Sequence, residues 1–232
     1  MPVERIIVLA ASAIGSDGKF VDFKDGMYLG GQIRLEAAAQ VASDRPDAEL
    51  TLVGGYNKTI EGNSQFSNRV RDMHSFIASR CPGAKLVPVY SLPCTYHNFV
   101  AVFNSWASGN IEADKVGILT NTYHMKRASA VATRAAAHFK QYAHLQFIPL
   151  SAEGILERSI ESIIREREEQ YAARLESERH GLEQLSTGTY EDSCLTKNLE
   201  SLRPVLARHS ATLLSSSELV RLNLNFPIVA EV

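Results

Sequence analysis

The chain has 232 residues, 45% of them hydrophobic and 22% charged, with a formal net charge of -2. That length and balance suit one globular core with an appendage, and they give no general attraction to nucleic acid. No apolar run approaches the roughly 18 residues that a membrane-spanning helix needs. The opening MPVERIIVLAAS also lacks the basic region and long apolar segment of a secretory leader, so a cytoplasmic protein without a membrane partner is expected.

Residues 5–11 (RIIVLAA) are almost continuously apolar, as in a central parallel strand covered on both faces. Residues 12–25 carry small residues and glycines and read as a long loop; Ser12, at its start, is a candidate ligand contact. Gly30 and Gly31 precede a predicted helix over 32–43, with Ile33, Ala37 and Val41 on one face and Arg34 in its first turn, directed toward the strand ends. The second strand, 49–53 (ELTLV), ends in Gly54 and Gly55, a pair that lets backbone amides approach a ligand or simply makes a tight turn. Neither GxGxxG nor a phosphate-binding loop with Lys-Ser/Thr is present. A polar loop over 57–65 leads into a helix over 66–80 with Val70, Met73 and Ile77 on one side. Residues 85–90 (KLVPVY) form a third strand, and Pro88 places it at an edge or a strand end.

The stretch SLPCTYHN follows, with a helix from about residue 99 to 108. Thr95 and Asn98 are candidates for capping it or for bonding a ligand. The three cysteines, Cys81, Cys94 and Cys194, are far apart and odd in number. Cys94 and His97 have CxxH spacing without a second pair, so no metal site is expected, and reduced thiols are the simplest account.

The most informative stretch is KVGILTNTYHMKRASAVATRAA. Residues 116–119 read as a buried strand, Thr120, Asn121 and Thr122 as a turn, and 123–136 as an Ala-rich helix. A strand–turn–helix step puts the turn at the carboxyl edge of an open α/β sheet, where ligands bind. His124 and Arg127, three residues apart, share one face of the helix beside its free amides. Those donors together suit an anion, although a capping histidine and a structural ion pair would look the same in sequence. A strand at 145–150 completes a β-α repeat. The fold class expected is α/β, a Rossmann-like three-layer sandwich with a mostly parallel sheet over residues 1–150.

From residue 151 the composition changes. Leu156, Ile160, Ile163 and Ile164 form an apolar strip at helical spacing, and a stretch dense in Glu and Arg follows. Residues 186–193 read as a turn, and short helices are expected over 195–206 and 217–224. Residues 151–232 are therefore read as a helical extension packed on the sheet domain, its polar part facing solvent or a second subunit.

Several of these stretches together resemble the YdcF/SanA/ElyC family, a domain of unassigned biochemical function. The likeness covers roughly residues 5–150. It consists of an Arg-initiated helix (Arg34, Ala37, Ala38), a strand ending in Gly54 and Gly55, a Thr-x-x-Asn helix start (Thr95, Asn98), and Thr-x-x-x-His-x-x-Arg-Ala (Thr120, His124, Arg127, Ala128). Two acidic positions of the family pattern are absent. Ser67, Asn68 and Arg69 stand near the first, and His97 stands at the second. The resemblance implies a Rossmann-like fold and a small-molecule pocket, with S-adenosylmethionine binding suggested for one member and envelope-related roles for others. The SanA and ElyC types carry a membrane anchor, for which this sequence shows no segment.

The function expected is binding of a small phosphorylated or nucleotide-like ligand. Arg34 and Arg127 would clamp its anion, Gly54, Gly55 and the 120–122 turn would supply donors, and His124 would act as acid or base with His97 as a second proton carrier. The alternatives are a non-catalytic module assembling through its helical extension, and an S-adenosylmethionine-dependent methyltransferase.

Overall fold

The computed structural model describes residues 3–10, 28–54, 56–57, 67–91, 94–107, 113–157, 168–191 and 193. Five strands form one parallel sheet: β1 (Arg5–Leu9), β2 (Glu49–Gly54), β5 (Lys85–Tyr90), β6 (Lys115–Thr120) and β7 (Gln146–Ser151). Their order across the sheet is β5-β2-β1-β6-β7. The chain steps outward from β1 through β2 to β5, then returns to pair β6 with the other side of β1. This is a Rossmann-like α/β order, and its switch point lies between the carboxyl ends of β1 and β6.

The strands form because their side chains have apolar cover on both faces. Ile7, Leu9, Val53, Val116 and Ile118 meet an aromatic layer built on Phe99, Phe103, Trp106 and Tyr142. Ile6, Val8, Leu50, Leu52 and Leu119 meet the opposite layer, with Leu35, Val41, Met73 and Ile77. Helices α1 (Tyr28–Asp44) and α2 (Arg69–Arg80) carry the second layer; α3 (Thr95–Ala107) and α4 (Thr122–Ala137) carry most of the first. Burying each large side chain contributes about 1.5–3 kcal/mol. Both edge strands hold a proline, Pro88 in β5 and Pro149 in β7, and both prolines are exposed.

The elements depart from the sequence expectation in a few places. Helix α1 starts at Tyr28, so Gly30 and Gly31 lie in its first turn and Arg34 in its second. Tyr56–Asn57 (β3) pairs antiparallel with Ser67–Asn68 (β4), so helix α2 begins only at Arg69. Helix α3 begins at Thr95 instead of near residue 99, which places His97 and Asn98 inside the helix. The expected loop at 12–25, with Ser12, and Gly55 lie outside the described residues.

Past the sheet, Ser151 caps α5 (Ala152–Ile155), its hydroxyl accepting from the Gly154 amide at 3.1 Å. Leu156 packs with the α1 side of the core, as the apolar strip requires. The other three strip residues, and the short helices expected beyond residue 194, lie outside the described residues. Helix α6 (Glu168–Thr187) is the polar helix expected from the Glu/Arg-rich stretch, and it lies against α4. Gly188 follows it with φ +73°, the left-handed conformation that glycine tolerates after a helix. Among the described residues no helix is long and apolar enough to cross a membrane.

Candidate functional site

The carboxyl edge of β6 gathers most of the predicted residues that are described. Thr120 is the last residue of the strand, Asn121 precedes α4, and His124 and Arg127 follow within its first two turns. Around them stand two adjoining polar clusters.

The inner cluster closes the switch point. Arg34, buried in α1, donates from Nη1 to the carbonyls of Leu9 (3.2 Å) and Ala10 (3.3 Å) at the end of β1. Its Nε donates to the Asn121 side-chain carbonyl, so the guanidinium bridges the ends of β1 and β6. Burial holds the Arg34 pKa below the usual guanidinium value, against the opposing pull of Tyr123, Glu153 and Glu178. Asn121 Nδ2 donates to Glu153 Oε1 at 2.8 Å. Glu153 Oε2 accepts from the Thr122 amide at 2.8 Å and from its hydroxyl at 3.0 Å. Asn121 itself makes no side-chain cap bond; the carboxylate from α5 satisfies the start of α4 instead. Ser151 joins through Thr122 (2.6 Å) and Glu153 (3.2 Å). Thr120 Oγ1 is fully buried and makes no hydrogen bond among the described residues.

The outer cluster crosses from α4 to α6. Glu178, 6% exposed, takes a two-pronged contact from Arg127: Nε to Oε2 at 2.6 Å and Nη2 to Oε1 at 2.8 Å. His124 Nδ1 lies 3.0 Å from both oxygens of the same carboxylate. Arg127 Nη1 donates to the Tyr190 hydroxyl at 2.8 Å. Burial first of all, aided by the positive charges of Arg127 and Arg34, lowers the His124 pKa to about 4 despite its bond to Glu178. The imidazole is therefore neutral near pH 7. A neutral ring facing a carboxylate carries its proton on Nδ1 and keeps Nε2 as an acceptor. Burial works to raise the Glu178 pKa, but the hydrogen bonds from Arg127 and His124 prevail and hold it at about 2. Burial opposes the Arg127 charge most strongly, but Glu178 and Tyr190 together outweigh it and raise that pKa.

The remaining predicted residues that are described, Asn98, His97, Thr95 and Gly54, lie along the same sheet edge. Asn98, buried, accepts from the Ser91 hydroxyl at the end of β5. His97 is buried beside Tyr96, their ring centroids 5.7 Å apart, and burial lowers its pKa to about 4. Thr95 is the first residue of α3, and Gly54 closes β2. The expectation of reduced thiols fails at Cys94, which is disulfide-bonded; Cys81 is a free thiol. A sulfur held in a disulfide is no thiolate nucleophile, so the CxxH pair does not supply one. Among the described residues no three His, Cys, Asp or Glu side chains group so as to hold a metal ion.

Four participants had not been expected from the sequence: Ser151, Glu153, Glu178 and Tyr190. His124 and Arg127, expected to face an anionic ligand, face the chain's own Glu178 carboxylate. No protein-family model, curated protein or solved structure matches this chain.

Proposed function

We propose that the chain is a YdcF-like domain that binds a small anionic ligand, phosphorylated or nucleotide-like, at the carboxyl edge of its sheet. One observation carries the reading: a neutral histidine and an arginine, at the start of a helix beside the switch point, converge on a single buried carboxylate. That is the donor arrangement a phosphate or carboxylate ligand requires. In this reading Arg127 is the anion contact, and His124 moves a proton through Nε2 if the domain is an enzyme. Arg34, with Nε and Nη1 committed to Asn121, Leu9 and Ala10, acts through its charge and by holding the switch point in shape. S-adenosylmethionine is a candidate ligand on the family resemblance alone.

A second reading has its own support. Both acceptor positions around α4 are filled by the chain's carboxylates, Glu153 and Glu178, which suits a non-catalytic module whose helical extension mediates assembly. A cytoplasmic location belongs to this proposal as well, and the Cys94 disulfide weighs against it, because disulfides persist mainly in oxidising compartments.

The two readings separate in thermal unfolding against nucleotides, sugar phosphates and S-adenosylmethionine. A true ligand at about 100 times its dissociation constant adds roughly 2.7 kcal/mol to wild type, and Arg127→Ala abolishes the gain. If no compound shifts the folded protein and sedimentation shows self-association, the assembly reading replaces the first.

A further inference from the structure

Helix α6 is seated on the domain by two unlike contacts. At its carboxyl end Leu185 packs on the aromatic core, and Tyr190, just beyond the helix, is buried in that core. Midway along, Glu178 is its one buried charge among the described side chains, reaching across to His124 and Arg127. Amino-terminal to Glu178 the described side chains, Ala172, Leu175, Glu176 and Ser177, are all exposed. Among its described side chains the helix therefore has an apolar anchor at one end and a polar latch at its middle.

An anion in solution leaves the apolar anchor untouched. The latch is different, because a carboxylate held by an arginine fork and an imidazole uses the chemistry that would hold a phosphate. The helix also covers the guanidinium bodily: a Cβ added at Gly181 would come within 2.5 Å of Arg127 Cδ. A ligand cannot reach Arg127 from that side while α6 is down.

Resting on the anion-site reading above, we propose that α6 is an autoinhibitory strap. Glu178 occupies the anion seat, and an anionic ligand binds by displacing it and freeing the amino-terminal half of the helix. Leu185 and Tyr190 keep the strap attached. The exchange leaves no charge stranded: Arg127 remains paired with the incoming anion, and Glu178 passes into water.

The test uses the full chain and inorganic phosphate, by titration calorimetry. Glu178→Gln keeps the shape of the side chain while removing its charge, and it should bind phosphate at least about tenfold tighter than wild type, as for a seat open in only about one molecule in ten. Adding Arg127→Gln to that variant should abolish binding. If wild type and Glu178→Gln bind equally while Arg127→Gln alone does not bind, the seat is real and the strap is refuted. If phosphate binds neither wild type nor Glu178→Gln, both the strap and the anion-site reading fall. Hydrogen exchange on wild type tests the same idea without a variant. With phosphate, amides before Glu178 in α6 should exchange faster while those around Leu185 hold; unchanged or slower exchange overturns the strap.

Discussion

The two polar clusters around the first turns of α4 use the same materials to different ends. Each brings a buried carboxylate to donors contributed by one helix. In the inner cluster the carboxylate, Glu153, follows directly on β7 and accepts from the Thr122 amide and from the Asn121 and Thr122 side chains. Its removal would leave the elements where they are, because the sheet register and two apolar layers already fix β6, β7 and α5. In the outer cluster the carboxylate comes from a helix 51 positions along the chain, and it faces a full guanidinium charge. That contact holds the middle of α6 against α4. One cluster finishes the fold, and the other attaches something to it.

The sharpest test of that distinction is Arg127→Ala. Removing one partner of a buried pair strands the other charge, so a loss of about 3 kcal/mol in unfolding free energy is expected, with lost amide protection concentrated in α6. A loss of protection spread equally over β6 and β7 would show that the outer cluster belongs to the core after all.

Acid offers a second test, of similar size for each of two histidines. His97 and His124 each have a folded-state pKa of about 4, below the ordinary 6.5. A depressed pKa means that the unfolded chain binds the extra proton first. Stability is then complete above pH 6.5 and is lost as pH falls from 6.5 through 4, by about 3 kcal/mol for each histidine. Urea unfolding at half-unit pH steps measures it; a flat profile across that window would mean that the two rings are not buried as described. The Glu178 contribution is lost only lower, between the ordinary carboxylate value and about 2.

The smallest effect is expected at Glu153→Gln. The amide retains one carbonyl acceptor where the carboxylate offered two, so Asn121 or Thr122 loses a partner at a cost of about 1–2 kcal/mol. Protection of α6 should be unchanged. Loosening of α6 in this variant would couple the two clusters and collapse the distinction between them.

The sheet was legible because each strand carries a run of apolar residues with no competing helical period, and Pro88 marked an edge correctly. The 120–127 turn was legible because strand, small polar residues and helix follow without a break. Glu153 was hidden by its position just past residue 150, where the composition changes, although the sheet domain's packing continues through α5. Glu178 was hidden among its neighbours: in LESERHG nothing in charge or spacing separates it from Glu176, which is exposed. The one local signal was Gly181, a glycine inside a polar helix, which marks close approach of another group; here that group is the Arg127 side chain. Long-range pairing of one carboxylate with one arginine is set by tertiary geometry, and no periodicity encodes it.

The prolines in the two outermost strands have a consequence for how copies of this chain can meet. A strand that lacks an amide donor along its edge is a poor template for another strand, so Pro88 and Pro149 blunt both open sides of the sheet against growth by strand addition. Continuous cross-subunit sheets and fibrillar stacking are thereby disfavoured. Among the described residues, the helical surfaces are better suited than the edges of this sheet to contact between copies, because such contact is made by side chains.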